Sequence, residues 1–583
     1  MPKNHSIKIS SLFIPFLIWL ILLPILLPGF NLGFDLSDEG WQLAKAWGMF
    51  HGDFSNNADL IWGSSFINGL WLNLKNEPSL LWSRTAFLVF LPFLGVLIFL
   101  ILKEFFDIKY ALLSVITAFL FFNKTFLIYS SVNYYYLPVA ASLLSFLFLV
   151  RSYRSENPSI VYLVLSGIFA GVTIHLKFTY ILIIPVIISY LFFFCRKEFR
   201  LKSSVYFFSA LFLSLVGGFV VLIAFGGAEM MVYGHGRLSV FDMFGYFFGT
   251  SEVNSSLNYS YKNLLSIYFK DLISMLNFTM IPLLILSASS YLSKRWFKLT
   301  PLFILAAGTA LYFFIFLNSS DSHLKFIGVF FALQTVIMLY FNNALKERFF
   351  LYFIFSSVFA LSFLGSGTGF YGGIFSLGFF GFACLTLCTL STDLPSDRFN
   401  TKVILPAFIV AALIIQIVKE YNPYRDLPSS YLNTEFKSPE LSGIYSFKER
   451  VDAVDEFMDY AKSGQINVDR VIIVGMPVFY YLLDINPIIS ETHDVILGFE
   501  QLKKEVIEAN PNVIVMPVQS PRGNLWPLPQ NADYWTRDGF ERQTARYYEF
   551  YREYMRVNNF NKEFENAMFA VYRKGELLRE ATE

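Results

Sequence analysis

Apolar runs long enough to cross a bilayer recur along the first 418 residues, and they constrain the fold more than any other feature. A hydrocarbon core of about 30 Å needs roughly 20 apolar residues in one helix. Runs near 11–28, 84–102, 111–128, 134–150, 160–176, 178–194, 203–225, 264–290, 300–317, 325–341, 349–364, 372–390 and 402–418 meet or approach that length. The expectation is an α-helical polytopic membrane protein with about 13 transmembrane helices. Within 111–150 and 160–194 the runs are joined by almost no loop, and one of those pairs can also be a re-entrant or broken unit. Charged residues make up only 15% of the chain, against about 25% in soluble proteins. Lys and Arg number 45 against 44 Asp and Glu. That balance leaves no basic excess for nucleic acid, which is excluded as a partner. Cys195, Cys384 and Cys388 all lie in apolar runs and read as small fillers.

Orientation follows from Lys and Arg. With Lys3 and Lys8 in the cytoplasm and sides alternating, the cytoplasmic loops carry Lys103/Lys109, Arg151/Arg154, Arg196–Lys202, Lys294/Arg295/Lys298, Lys346/Arg348 and Arg398/Lys402. The opposite face holds the long loops 29–83 and 226–262 and the shorter 318–324 and 365–371, with few basic residues. The first run is too long for a cleaved signal peptide and lacks a small-x-small site after it. After Lys419 the texture turns polar. Residues 1–418 thus read as the transmembrane part, and 419–583 as a C-terminal extracytoplasmic α/β domain. Val471–Val474 and Val513–Met516 read as buried strands, and 447–462 and 499–509 as amphipathic helices. Strand, helix, strand in that order implies some parallel pairing.

The most informative stretch follows the first span: Phe34-Asp35-Leu36-Ser37-Asp38-Glu39-Gly40-Trp41-Gln42. Ser-Asp-Glu is an ordinary helix start, with Ser37 as cap and the acids complementing the helix dipole. Here, however, the three carboxylates stand just outside the membrane, where a lipid-linked substrate presents its headgroup.

A short basic N-terminus, one span and an exterior Asp-Glu at the start of the first large loop resemble the GT-C superfamily of membrane glycosyltransferases. Protein O-mannosyltransferases and aminoarabinose transferases are members. The resemblance covers the whole chain: first loop, string of spans and C-terminal domain. It implies transfer of a sugar from a polyprenyl-phosphate carrier on the outer side, with inversion, to a glycan, lipid or protein acceptor. It implies a bacterial inner membrane as the home. In the family an acidic residue of the first loop acts as catalytic base. The matching positions are Asp38 and Glu39, with Asp35 as a substitute. Several members also carry an acid in the second exterior loop. Here 123–133 offers Asn123, Lys124 and Asn133 and no carboxylate.

The chemistry asks for such residues. A carboxylate can take the acceptor hydroxyl's proton, typically worth 10²–10⁴-fold. The leaving phosphate needs positive charge from Arg, Lys or a divalent ion. Asp35, Asp38 and Glu39 can instead hold Mg²⁺ or Mn²⁺, and the sequence leaves both roles open. Lys177 interrupts an apolar stretch, at a cost of about 2.5–3.5 kcal/mol on insertion scales unless it snorkels from a tight exterior turn. His175 beside it reads as a structural residue. His235 and Arg237 lie in an exterior loop, where Arg237 suits a phosphate fork. Ser366 and Thr368 sit in the glycine-rich loop 365–373, whose backbone N–H groups can approach an anion. Asp321, His323 and Lys325 form too sparse a set for a zinc site. Tyr134–Tyr136 read as an interfacial belt.

Two other classes compete. A transporter or flippase for a lipid-linked saccharide needs matching broken halves and charges within spans, and neither is evident. A non-catalytic assembly subunit would use the C-terminal domain as a binding module.

Overall fold

The computed structural model describes residues 13–126, 134–154, 159–195, 197–227, 229–232, 236–239, 265–277, 327–328, 330, 345–364, 369–370, 377–392, 401–418, 420–423, 425–466, 470–492, 499–518 and 539–575. The first apolar run forms α1 (Phe13–Leu26). The loop after it folds into α2 (Asp38–His51), α3 (Phe54–Asn57) and α4 (Trp62–Leu72). Then come α5 (Leu80–Leu102), α6 (Ile108–Phe126), α7 (Tyr136–Arg154), α8 (Ile160–Leu176), a 3₁₀ turn Phe178–Leu182, α9 (Ile183–Phe193) and α10 (Lys197–Ala224). Further on lie a helix at 265–277, α11 (Leu345–Phe363), α12 (Phe380–Thr392) and α13 (Thr401–Val418). The expected runs 300–317 and most of 325–341 and 264–290 lie outside the described residues.

Among the described residues, α5 and α10 are long and apolar enough to cross a membrane. At 1.5 Å per residue they span about 35 and 42 Å. Phe212, Leu213 and Val220 on α10 are 65%, 68% and 59% exposed. In water each such side chain forfeits about 1.5–3 kcal/mol of burial, so this surface is suited to lipid. The opposite side of α10 meets α8 closely. A Cβ on Gly167 would lie 2.4 Å from Phe207 O, and one on Gly171 would lie 2.6 Å from the Ser214 side chain. Small residues four apart are what allow two membrane helices to approach this far.

Beyond α13 the chain builds α14 (Lys448–Tyr460), α15 (Val478–Leu482), α16 (Phe499–Ala509) and α17 (Gly539–Val557). Two short hairpins hold β1 (Glu229–Val232) with β2 (Gly236–Ser239), and β3 (Thr434–Glu435) with β4 (Tyr445–Ser446). A mixed sheet has the order β5-β6-β8-β7, from β5 (Val471–Ile473), β6 (Val513–Pro517), β7 (Phe560–Glu565) and β8 (Phe569–Lys574). The two apolar strands expected from the sequence pair in parallel, Val471 opposite Val513. Both are buried along their whole length, as strands covered on both faces should be.

This C-terminal region does not stand apart from the first loop. Phe34, Leu36, Leu43 and Trp47 share one apolar core with Val451, Phe457, Val478 and Phe569. Gly33 N donates to Tyr445 O (2.8 Å), and Tyr445 N donates to Asn31 O (2.9 Å). A Cβ on Gly40 would lie 2.3 Å from Val478 N, so α2 packs backbone to backbone against the start of α15.

Candidate functional site

The three acids Asp35, Asp38 and Glu39 of the first loop sit in three environments. Asp35 is buried, and it rather than Ser37 caps α2. Its Oδ2 accepts from Glu39 N (2.8 Å), and its Oδ1 accepts from Ser37 N (3.2 Å) and Ser37 Oγ (3.1 Å). Ser37 occupies the cap position but makes no side-chain cap bond. The sequence expectation of a serine cap fails because the Asp35 carboxyl, two residues upstream, takes the Glu39 N–H of the first turn and the Ser37 hydroxyl as well. Burial pushes the Asp35 carboxyl above the usual range. Arg425 pulls it back down, while Asp38 and Glu39 push it up.

Glu39 points inward to Arg84, near the start of α5. Arg84 Nε donates to Glu39 Oε1 (2.9 Å) and Nη2 to Oε2 (2.7 Å). Both side chains are 3% exposed. Arg84 also donates to the carbonyls of Phe30 (3.3 Å), Leu32 (3.4 Å) and Gly33 (3.0 Å). This fork fastens the loop to the bundle and uses both oxygens of Glu39. Asp38 is the accessible acid, with 23% of its side chain exposed. Its Oδ2 lies 2.9 Å from Arg425 Nη2, and Arg425 Nη1 lies 3.6 Å from Asp35 Oδ1.

Below this end, α2 is held by a second buried set that the sequence reading missed. Lys45 Nζ donates to Asp59 Oδ2 (2.6 Å) and lies 2.9 Å from Glu491 Oε2. Trp41 Nε1 donates to Glu491 Oε1 (2.6 Å). Burial would push the Lys45 ammonium down, but Asp59 and Glu491 outweigh it and hold it above its usual range. Arg84 left one trace in the sequence: it is a basic residue at the span end where basic residues are scarce. Glu491 and Arg425 left none.

Lys177 lies in the turn between α8 and the 3₁₀ helix, against the first loop. Phe178 N donates to Leu60 O (2.9 Å), and Ser64 Oγ donates to Leu176 O (2.7 Å). Lys177 Nζ sits 5.7, 5.8 and 5.9 Å from the ring centres of Tyr134, Tyr135 and Tyr180. No carboxylate pairs with it among the described residues. Burial pushes its ammonium down to about 8. The Tyr134 ring in turn meets the Trp41 ring edge-on at 6.1 Å. Lys177 and the first turn of α2 therefore border one aromatic patch. Tyr135 and Tyr136 are buried, which corrects their reading as an interfacial belt: they pack around Lys177 and Phe87 instead. His175 is structural, its Nε2 3.1 Å from Leu215 O. From Leu182, at the end of the same 3₁₀ turn, an apolar groove of about 560 Å³ runs between α9 and α11, lined by Pro185, Val186, Tyr352, Ala360 and Leu364 among others.

His235, Ser366, Thr368 and the Arg237 side chain lie outside the described residues, as does the Asp321–His323 cluster. Of the glycine-rich loop only Gly369 and Phe370 are described. Phe370 N donates to Asp271 Oδ2 (2.7 Å), so a carboxylate already holds that N–H group. The Mg²⁺ or Mn²⁺ alternative also meets a poor fit. Among the described residues no three His, Cys, Asp or Glu side chains converge as a metal set. Asp35 is spent on helix N–H groups and Glu39 on Arg84.

No family model matches the chain, and no curated protein matches it. Solved structures do. The chain is similar to ArnT from Cupriavidus metallidurans bound to undecaprenyl phosphate, at 10% identity over 97% of each chain with a TM-score of 0.45. It is similar to the archaeal oligosaccharyltransferase AglB from Archaeoglobus fulgidus in complex with an inhibitory peptide and a dolichol-phosphate. There the identity is 10%, over 97% of this chain and 74% of that one, with a TM-score of 0.47. A complex of the Archaeoglobus fulgidus oligosaccharyltransferase with Zn and sulfate matches at 11% identity over 86% of this chain and 67% of that one, TM-score 0.44.

Proposed function

We propose that the chain is a membrane glycosyltransferase that moves a hexosyl or pentosyl unit from a polyprenyl-phosphate carrier to an acceptor hydroxyl on the extracytoplasmic side. One observation supports the reading: the part-exposed carboxylate Asp38 shares the first turn of α2 with Trp41, whose ring meets Tyr134, and the buried ammonium of Lys177 lies over that same Tyr134 ring. A base and a phosphate counter-charge are the two groups this transfer needs. The apolar groove beginning at Leu182 supplies a path for an isoprenoid chain whose phosphate ends near Lys177.

In this reading the acceptor oxygen attacks the anomeric carbon from the face opposite the phosphate. The bond from that carbon to the phosphate oxygen breaks, and the configuration inverts. Asp38 receives the acceptor's proton, and the carrier phosphate departs with the bond's electron pair. Lys177 stabilises the negative charge that grows on it. Glu39 holds the loop in place for this chemistry, and Asp35 orders the first turn of α2.

The test is reconstitution in proteoliposomes with labelled polyprenyl-phosphate sugars and an envelope fraction as acceptor source. The expected result is loss of sugar from the carrier with release of polyprenyl phosphate, dependent on Asp38. Movement of intact carrier across the bilayer with no bond broken would make the chain a flippase and refute the proposal.

A further inference from the structure

Asp35 and Asp38 receive a positive counter-charge from a residue far from them in sequence. Arg425, just past the last apolar helix, reaches 2.9 Å from Asp38 Oδ2 and 3.6 Å from Asp35 Oδ1. Its backbone is held to do so. Arg425 has φ +53°, the left-handed region that non-glycine residues enter rarely and that clusters at functional sites. Its carbonyl accepts from Arg450 Nη1 (2.9 Å). The neighbouring Asp426 Oδ2 accepts from Phe34 N (2.9 Å) and Ser446 Oγ (2.7 Å) and pairs with Arg450 (3.1 Å). The strained residue is thus held at its carbonyl and through the residue after it, and the same clamp grips the loop one residue before Asp35.

We propose that Arg425 is the positioning residue of the site: its guanidinium occupies the place between Asp35 and Asp38 that a divalent cation would need, and it orients Asp38 for proton transfer without a metal. The oxygens around it argue the same way. Of the three acids, Asp35 (4% exposed) serves the Glu39 N–H and Glu39 (3% exposed) serves Arg84, while Asp38 is 23% exposed. A planar guanidinium fixes a carboxylate's direction in a way a lysine ammonium does not. The inference deepens the transferase reading and rests on it.

The experiment uses the full chain in nanodiscs, with wild type, Arg425→Lys and Arg425→Ala, each checked for an unchanged melting profile. Wild-type turnover should survive EDTA. Arg425→Ala should lose about 100-fold in kcat, the scale of a small misplacement of a reacting group, with little change in donor KM. Added guanidinium should restore part of that loss, and Mg²⁺ or Mn²⁺ should not. Separately, carbodiimide labelling read by mass spectrometry should modify Asp38 faster in Arg425→Ala than in wild type. Loss of wild-type turnover in EDTA with recovery on Mn²⁺ overturns the proposal, as does an Arg425→Ala enzyme with wild-type kcat. A wild-type chain that transfers no sugar counts against the transferase reading instead. In that event the labelling arm still decides whether Arg425 shields Asp38, and equal labelling rates overturn the pairing.

Discussion

Glu39→Gln and Asp38→Asn make the same chemical change at adjacent positions, and the geometry assigns them opposite consequences. Glu39 and Arg84 are both 3% exposed and joined at 2.9 and 2.7 Å. Replacing the carboxylate by an amide leaves the Arg84 charge buried beside carbonyls alone. Breaking one partner of a buried pair costs about 3–5 kcal/mol. For a unit the size of the first loop plus the C-terminal region this lowers the melting temperature by on the order of 10 °C. Asp38 is 23% exposed, and its partner Arg425 also faces Asp35, so an amide at position 38 leaves that guanidinium a carboxylate beside it and costs less than breaking the Glu39–Arg84 pair. Asp38→Asn should therefore melt close to wild type while losing about 10²–10⁴-fold in turnover. Glu39→Gln should keep turnover per folded molecule. The assay is thermal unfolding in nanodiscs alongside sugar transfer normalised to folded protein. A Glu39→Gln chain that melts with wild type but transfers nothing would refute the division of labour, and so would an Asp38→Asn chain with full turnover.

Lys177→Met should weaken binding of polyprenyl phosphate about tenfold or more, the worth of one charged hydrogen bond. Because burial pushes Lys177 down to about 8, wild-type affinity is present below that pH, where the ammonium is protonated, and declines as pH rises through it. Lys177→Met should lose that decline, and an identical pH profile in the variant removes Lys177 from the phosphate site. Gly40→Ala places a Cβ 2.3 Å from Val478 N and should cost about 1–3 kcal/mol as overpacking. Limited proteolysis should then release the C-terminal region faster, and wild-type protection would contradict the tight α2–α15 contact.

The parts legible in the sequence were those set by local pattern. The run 160–176 and the helix 499–509 match α8 and α16 at both ends, because hydropathy and amphipathic period are properties of neighbours in the chain. The strands at Val471 and Val513 were visible as short apolar runs, and their parallel pairing followed from the helix between them. Lys177 was visible as a charge in an apolar stretch. The environments of Asp38 and Glu39 were not legible, since each is set by an arginine brought near only by folding. Arg84 lies 45 residues from Glu39, and Glu491 lies 450 from Trp41. Nor does composition mark Arg425, whose place beside Asp38 comes with a left-handed backbone and the neighbouring Asp426–Arg450 pair. The cap of α2 was misread for a subtler reason: residue preferences rank Ser37 well, but the acceptor that takes the Glu39 N–H stood two positions upstream.

The most direct measurement is a cryo-electron microscopy map of the chain in nanodiscs with polyprenyl phosphate bound. The account predicts phosphate density in salt-bridge contact with Lys177, facing the aromatic patch that leads to Asp38, with the isoprenoid entering the groove at Leu182. A phosphate seated at the opposite membrane face, or out of reach of both Lys177 and Asp38, would contradict it.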